Sequence, residues 1–341
     1  MLQSSQDARP EAGENARAEE RIYAALDLGT NNCRLLIAAL DRQSGHALRV
    51  FDSFSRVVRL GEGVSATGQL SADAMERTLA ALRACEKKLS RYALAGSRFV
   101  ATEACRRASN GRAFLDRVQR ETGLDIGIIS SEEEARLAFM GCSSLLTEAS
   151  RRAIVFDIGG GSTEMMWVDV DRLPEGGRHA ISDWLSIGFG VMNLADKFGG
   201  SNFADVTFND MVKLLLEKIT PFDRANRISE TAGDTPVHLL STSGTVTTLA
   251  AVHLNLPRYD RARIDGLTLN VSDIRNTIRR LLAMRPSERF NHPCIGPDRA
   301  DFILSGCAIF EAVSSLYPEG RITIADRGVR EGIILSLMNR K

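Results

Sequence analysis

The stretch Ile154-Val155-Phe156-Asp157-Ile158-Gly159-Gly160-Gly161-Ser162-Thr163-Glu164-Met165-Met166-Trp167-Val168 decides how the chain is read. It predicts a buried strand, a glycine turn and a second strand. Both flanks are short apolar runs rich in β-branched and aromatic residues. Three consecutive glycines permit positive φ and let a ligand approach the backbone closely. Successive N–H groups in such a turn form a concavity that suits an anion. Asp157 enters the turn and Glu164 leaves it. An anion pocket flanked by carboxylates makes sense when a metal ion sits between them.

The pattern has an earlier copy. Leu26-Asp27-Leu28-Gly29-Thr30-Asn31-Asn32-Cys33 again reads as strand, Asp-x-Gly, small polar residues and strand. Asp157 lies 130 positions after Asp27. Two copies at that spacing suggest two related domains, each presenting one loop to a shared cleft. Taken singly, either could be an ordinary hairpin with Asp and Gly in its turn.

With 341 residues the chain can hold two domains, and 44% hydrophobic with 25% charged residues is normal for a globular protein. The formal net charge is zero, so a polyanion must be held by a local cluster and not by a global field. Six cysteines and five histidines are scattered without metal-site spacing, which reads as reduced core filler in a cytoplasmic protein. No run approaches a membrane span. Residues 1–20 lack an apolar centre and read as a disordered tail.

In order, residues 21–58 predict three strands. Arg56 and Arg59 follow, near phosphate or on a solvated edge. A helix over residues 71–92 has Ser71 as its cap. A short strand, residues 98–101, runs into Thr102-Glu103-Ala104-Cys105-Arg106-Arg107, where one arginine should point into a cleft. A helix over residues 110–121 and a strand at 126–129 come next. Ser130-Ser131-Glu132-Glu133-Glu134 then opens a helix, with two overlapping capping boxes. If Ser130 is the cap, Glu134 is released for catalysis. Beyond the glycine turn, residues 181–187 predict a third strand and Gly188-Phe189-Gly190 leads into a helix. Residues 205–222 predict a helix. A buried strand at 237–240 leads into Ser241-Thr242-Ser243-Gly244-Thr245, an anion site or a simple N-cap. Arg258, Arg261 and Arg263 form a basic run. Helices over 271–284 and 297–317, a strand at 321–325 and a helix over 329–339 complete the chain.

Neither hairpin loop is followed by Gly-Lys-Ser/Thr or by a helix, which excludes a Walker A loop and a dinucleotide fingerprint. A phosphate chain clamped between two domains fits better. Two like unit charges 4 Å apart repel by about 4 kcal/mol at an effective dielectric of 20. Asp157 or Glu164 near phosphate would therefore oppose binding unless Mg²⁺ bridged them. A carboxylate must also orient and deprotonate water, and Glu134 is the best candidate.

Taken together, Asp27-Leu28-Gly29-Thr30-Asn31, Ala101-Thr102-x-Ala104-x-Arg106, Glu133-Glu134-Ala135-Arg136, Asp157 to Glu164 and Ser243-Gly244-Thr245 resemble the exopolyphosphatase/guanosine pentaphosphate phosphohydrolase family of the actin-like ATPase superfamily. The resemblance implies an α/β fold of two ribonuclease-H-like domains about a cleft. Residues 21–130 plus 323–341 would form the first domain and residues 131–322 the second. It implies Mg-dependent hydrolysis of terminal phosphate from inorganic polyphosphate, or of the γ-phosphate of pppGpp. Mn²⁺ as a substitute, a monovalent cation such as K⁺, and a homodimer are further expectations; nucleic acid and membrane partners are not. Position by position, Glu134 matches the catalytic base, and Asp157 and Glu164 the metal-associated carboxylates. Arg106 and the loops Gly29, Thr30, Asn31, Asn32; Gly159, Gly160, Gly161, Ser162, Thr163; and Ser243, Gly244, Thr245 match phosphate contacts. Ser130 then becomes the cap. Thr30 and Asn32 stand where the family usually has serine. The chain resembles the short members, without the helical C-terminal extension. A kinase or a conformational ATPase of the same superfamily is the alternative.

Overall fold

The computed structural model describes residues 21–41, 48–147, 151–175, 180–199, 205–231 and 236–339. The expected N-terminal tail lies outside them. Strands β1 (Ile22–Leu28), β2 (Asn32–Leu40), β3 (Leu48–Val57), β4 (Leu94–Ala101) and β5 (Ile126–Ile128) form one sheet, in the order β3-β2-β1-β4-β5. Strands β6 (Arg152–Ile158), β7 (Thr163–Asp169), β8 (Ile181–Ile187), β9 (His238–Ser241), β10 (Leu267–Asn270) and β11 (Arg321–Ile324) form the second, in the order β10-β11-β9-β6-β7-β8. Read outward from β1 and from β6, the two sheets repeat one plan. Two antiparallel hairpin strands lie on one side and two parallel strands on the other. β10 is an extra antiparallel edge in the second copy. The expected pair of ribonuclease-H-like domains is present.

The central strands are covered on both faces, so their sequences read as near-continuous apolar runs. Along β6 and β7 the residues alternate between two cores. Ile154, Phe156, Met165 and Trp167 face one, and Ala153, Val155, Met166 and Val168 the other. The first contains Phe310 of the helix Ile303–Ser315, whose ring centroid lies 6.3 Å from that of Phe156. Six cysteines are buried and unpaired, as core filler should be. No helix among the described residues is long and apolar enough to cross a membrane.

Two helices lie between the sheets. The helix Ser131–Cys142 turns Leu137 and Ala138 toward the first sheet and Ala135, Phe139 and Cys142 toward the second. The helix Val329–Met338 packs Ile333 and Ile334 on the first sheet. The two cross at Gly141 and Gly332, where a Cβ would run into the backbone of Gly328 and of Leu137 respectively. Only glycine allows that approach.

One boundary differs from expectation. β11 was expected to return to the first domain, but it pairs with β9 in the second sheet, and only the helix Val329–Met338 crosses back. The reason is β9, whose far edge would otherwise be bare; Thr323 pairs with Leu240, and its hydroxyl meets the His238 ring at 2.8 Å. The expected helix over 297–317 is two pieces, Pro297–Ala300 and Ile303–Ser315. β10 and the short helix Pro286–Asn291 were not foreseen.

Candidate active site

The two hairpin loops close with the same hydrogen bond. Gly29 N–H donates to Asn32 C=O at 2.9 Å, and Gly159 N–H to Ser162 C=O at 2.9 Å. Beyond that closure, the loop carbonyls are engaged from behind. Asn31 C=O accepts from Val58 and Arg59 N–H at 2.8 and 3.0 Å, and Thr30 C=O from Gly61 N–H at 2.9 Å. In the second loop Gly159 and Gly160 C=O accept from Val191 and Met192 N–H, while Gly161 C=O accepts from Asn193 Nδ2 at 2.8 Å. No described residue accepts from the N–H groups of Thr30, Asn31, Gly160 or Gly161. Carbonyls turned back and amides left free are what an anion cradle requires. Gly190 packs so closely on this loop that a Cβ there would sit 2.5 Å from Gly159 O, Gly160 C and Gly161 N.

The loops meet. A Cβ on Gly161 would lie 2.8 Å from Thr30 Oγ1 and 2.9 Å from Glu103 Cγ. The cavity they enclose, about 130 Å³, is lined by Gly29 to Asn32, Glu134, Asp157, Gly159 to Ser162, Gly244 and Thr245. Those expected residues therefore converge. Thr163, Glu164, Ser243 and Arg106 stand just behind the wall. Thr163 donates its hydroxyl to Phe189 C=O at 2.8 Å. Ser243 caps the helix Gly244–His253, its Oγ accepting from Thr245 and Val246 N–H at 3.0 and 3.3 Å. Arg106, rather than Arg107, turns inward, but its guanidinium is engaged. It donates to Glu103 at 2.5 Å, to Glu134 at 3.2 Å and to Ile129 C=O at 2.8 Å. It thus fixes Glu134 and does not line the cavity.

Glu134 sits in the first turn of its helix. Ser130 is the cap, accepting from Glu133 N–H at 3.1 Å, so the Glu134 carboxylate is free to face the cleft. Asp157 on β6 lies directly opposite Glu164 on β7. Glu164 is 1% exposed and accepts from Ser186 Oγ at 2.9 Å. Asp27, the counterpart of Asp157, also lines the cavity and lies opposite Arg34 on β2.

Burial is the main cause that raises all four of these carboxylates, and neighbouring acids add to it for Asp27, Glu134 and Glu164. For Asp157 burial acts alone, and Thr242 and Arg34 oppose it. Glu134 is pushed well above the usual carboxylate range, with Glu164, Asp27 and Asp157 adding to burial against Arg106. Glu164 rises to about 7. One further atom supports a missing partner: Asn31 Oδ1 is buried without a hydrogen bond among the described residues, and Asn31 lines the cavity. Oxygen donors in a site too negative for itself fit a hard divalent cation. No three acids among the described residues are arranged to hold a metal unaided.

Several lining residues were missed. Asp27 could have been taken from the repeat, and Thr102 and Thr242 follow strand ends in motifs already singled out. Arg34, Arg299, Phe302 and Ile303 carried no local signal. Arg299 and Phe302 reach the cleft because the helix breaks between Ala300 and Ile303. Of the two arginines after β3, Arg59 reaches across the cleft to Asp301 at 3.2 Å and lies 5.3 Å from the Phe302 ring centroid. Arg56 lies over Phe54 on an exposed strand. In the basic run, Arg261 is tied to Asp326 and Glu331.

A cleft floored by opposed amide loops from two similar domains, with buried acids beneath, defines a protein that handles phosphate groups. Residues 37–341 match the model of the Ppx/GppA phosphatase family, and the chain belongs to that family. It is 30% identical over 331 residues to exopolyphosphatase 2 of Mycobacterium tuberculosis, covering 92% of this chain and 98% of that protein. A bifunctional 3-dehydroquinate synthase/phosphatase of Fusobacterium nucleatum is 27% identical over 332 residues; the chain spans 47% of its length. The Aquifex aeolicus PPX-GPPA enzyme structure superposes with a TM-score of 0.74 at 28% identity, covering 93% of this chain and 99% of that one. A Cytophaga hutchinsonii exopolyphosphatase shares the fold with a TM-score of 0.82 at 23% identity, covering 94% and 98%.

Proposed function

We propose that the chain is an exopolyphosphatase that hydrolyses the terminal phosphoanhydride of inorganic polyphosphate, with pppGpp, losing its γ-phosphate, as its second substrate. The observation that carries this is Glu134 lining one cavity with two loops of unengaged amides. Thr30, Asn31, Gly160 and Gly161 would bind the terminal phosphoryl oxygens. Arg34 and Arg299 add positive charge from either domain. Glu134 takes a proton from water as its oxygen attacks phosphorus. The bridging P–O bond breaks, and orthophosphate and a chain one unit shorter leave. Arg106 holds the Glu134 carboxylate toward that water and away from Ser130, whose hydroxyl caps the backbone. Asp157 and Asp27 line the cavity and would hold Mg²⁺ there, with Glu164 opposite Asp157 adding negative charge from behind the wall; when bound, the ion would offset charge on the phosphoryl oxygens. Mn²⁺ could fill the same oxygen set.

The test is phosphate release from long polyphosphate, tripolyphosphate and pppGpp, with Mg²⁺ or with chelator. Glu134→Gln should cut release by about 10²–10⁴-fold, the usual worth of a general base, at unchanged circular dichroism. Near-normal turnover of the variant would end the assignment. Transfer from ATP to an added acceptor, with no release in its absence, would instead support a kinase.

A further inference from the structure

Glu103 lines the cavity beside the phosphate loops, where a bare carboxylate would repel the substrate. It opens the short helix Glu103–Arg107 and is held at both ends. Its stem rests on the second domain: a Cβ on Gly161 would lie 2.9 Å from Glu103 Cγ and 3.4 Å from its Cβ. Its carboxylate faces Arg106. Oε2 accepts from Arg106 Nη2 at 2.5 Å and from Nε at 3.1 Å, while Oε1 lies 3.8 Å from Arg107 Nε. The Glu103 and Arg106 side chains are 12% and 21% exposed, so solvent screens the pair little. The rest of the guanidinium is shared. Nη1 donates to Ile129 C=O at 2.8 Å and to Glu134 Oε2 at 3.2 Å, and Nη2 reaches the same oxygen at 3.3 Å. The contacts on Glu134 are the longest of the set. A planar fork fixed along its Nε edge and at Ile129 cannot turn further toward the base. Released, it would close on Glu134 as a two-pronged pair at about 2.7–2.9 Å and draw the carboxylate off its water.

We propose that Glu103 is a positioning residue for the reaction, holding Arg106 at a reach that steadies Glu134 without capturing it. Because its stem sits on Gly161, Glu103 also ties the base, carried on the helix Ser131–Cys142, to the phosphate loop of the second domain. The effect on turnover rests on Glu134 being the base of the proposed hydrolysis; the effect on geometry does not.

Crystals of Glu103→Ala test the geometry without turnover. Arg106 should close on Glu134 to about 2.7–2.9 Å through two nitrogens. Contacts unchanged from 3.2 and 3.3 Å overturn the proposal. Tripolyphosphate kinetics test the effect on turnover. The kcat of Glu103→Ala should fall about tenfold to a hundredfold, since a reacting group displaced by up to about 1 Å costs that much. KM should not rise, because the substitution removes negative charge from a phosphate cavity. Glu103→Gln keeps an oxygen acceptor at the same reach and should recover part of the loss. In an Arg106→Met background, Glu103→Ala should change kcat by less than about twofold, because a residue acting through another is not additive with it. Equal losses with and without Arg106, or a loss confined to KM, overturn the proposal. Should Glu103→Ala fail to fold, the isosteric Glu103→Gln carries both measurements, with shorter Arg106–Glu134 contacts and a lower kcat expected and wild-type values of both overturning. A wild type that releases no phosphate would sink the functional reading, while the crystals still decide whether Glu103 sets Arg106.

Discussion

Replacing Glu164 with Gln should make the protein more stable, and by an amount that depends on pH. Glu164 is buried against Asp157, and its pKa rises from 4.5 to about 7. A carboxyl whose folded value is raised favours folding only while protonated. Its contribution is intact below pH 4.5 and is lost as pH climbs through 7. A tenfold change in acidity between the unfolded and folded protein is worth about 1.4 kcal/mol, so ionised Glu164 costs roughly 3 kcal/mol above neutrality. Gln keeps the carbonyl oxygen that accepts from Ser186 Oγ and carries no charge. Urea denaturation in chelator should therefore find wild type and Glu164→Gln close at pH 5, and the variant more stable by roughly 3 kcal/mol at pH 8. Added Mg²⁺ should narrow the gap by stabilising wild type alone, because a ligand that binds only the folded state raises its stability. A variant no more stable than wild type at pH 8 would show that the acid cluster is not strained, and the case for a cation there would fall with it.

Other outcomes follow from single contacts. Arg34→Ala removes a cavity guanidinium that also holds down Asp27 and Asp157. It should raise KM by roughly ten- to a hundredfold in a phosphate-release assay, the worth of one or two charge-assisted hydrogen bonds. Gly332→Ala forces a methyl into the Leu137 carbonyl at the crossing of the two central helices. A loss on the order of 3 kcal/mol is expected in thermal melts. Arg59→Ala breaks an interdomain pair whose side chains are 34% and 44% exposed. Stability should change by under about 1 kcal/mol, while small-angle scattering of the variant should report a more open cleft.

The repeat made most of this legible. Asp-x-Gly followed by small residues and a strand fixed two hairpins, and their 130-residue spacing fixed two domains. Local chemistry marked Ser71 as a cap, whereas two overlapping capping boxes left Ser130 and Ser131 open until the family resemblance chose Ser130. What stayed hidden depends on distant segments. Nothing between Ala300 and Ile303 breaks a helix by itself. At the break, Arg59, some 240 positions away, engages Asp301 and Phe302 together. Arg34 looks like an ordinary strand residue until β2 is set against Asp27. Arg106 follows a strand end, where a phosphate contact is expected, and periodicity cannot show that Glu103, three residues before it, binds it first.

The duplicated fold also explains why the chemistry is lopsided. Arg34 and Glu164 each stand seven residues past the aspartate of their own hairpin and directly opposite it. In the first domain the pair has opposite charges, and Arg34 works against the burial that raises Asp27. In the second it has like charges. Backbone amides come from both loops, so the phosphoryl group can be gripped symmetrically. The like-charged pair sits on one side only, beneath Gly159 to Gly161. A cation drawn there would polarise the phosphate from the second domain. Glu134, carried on a helix that touches both sheets, would then face it from the seam between them. One backbone plan supplies the grip twice, and a single change of sign between two equivalent positions gives the cleft a direction.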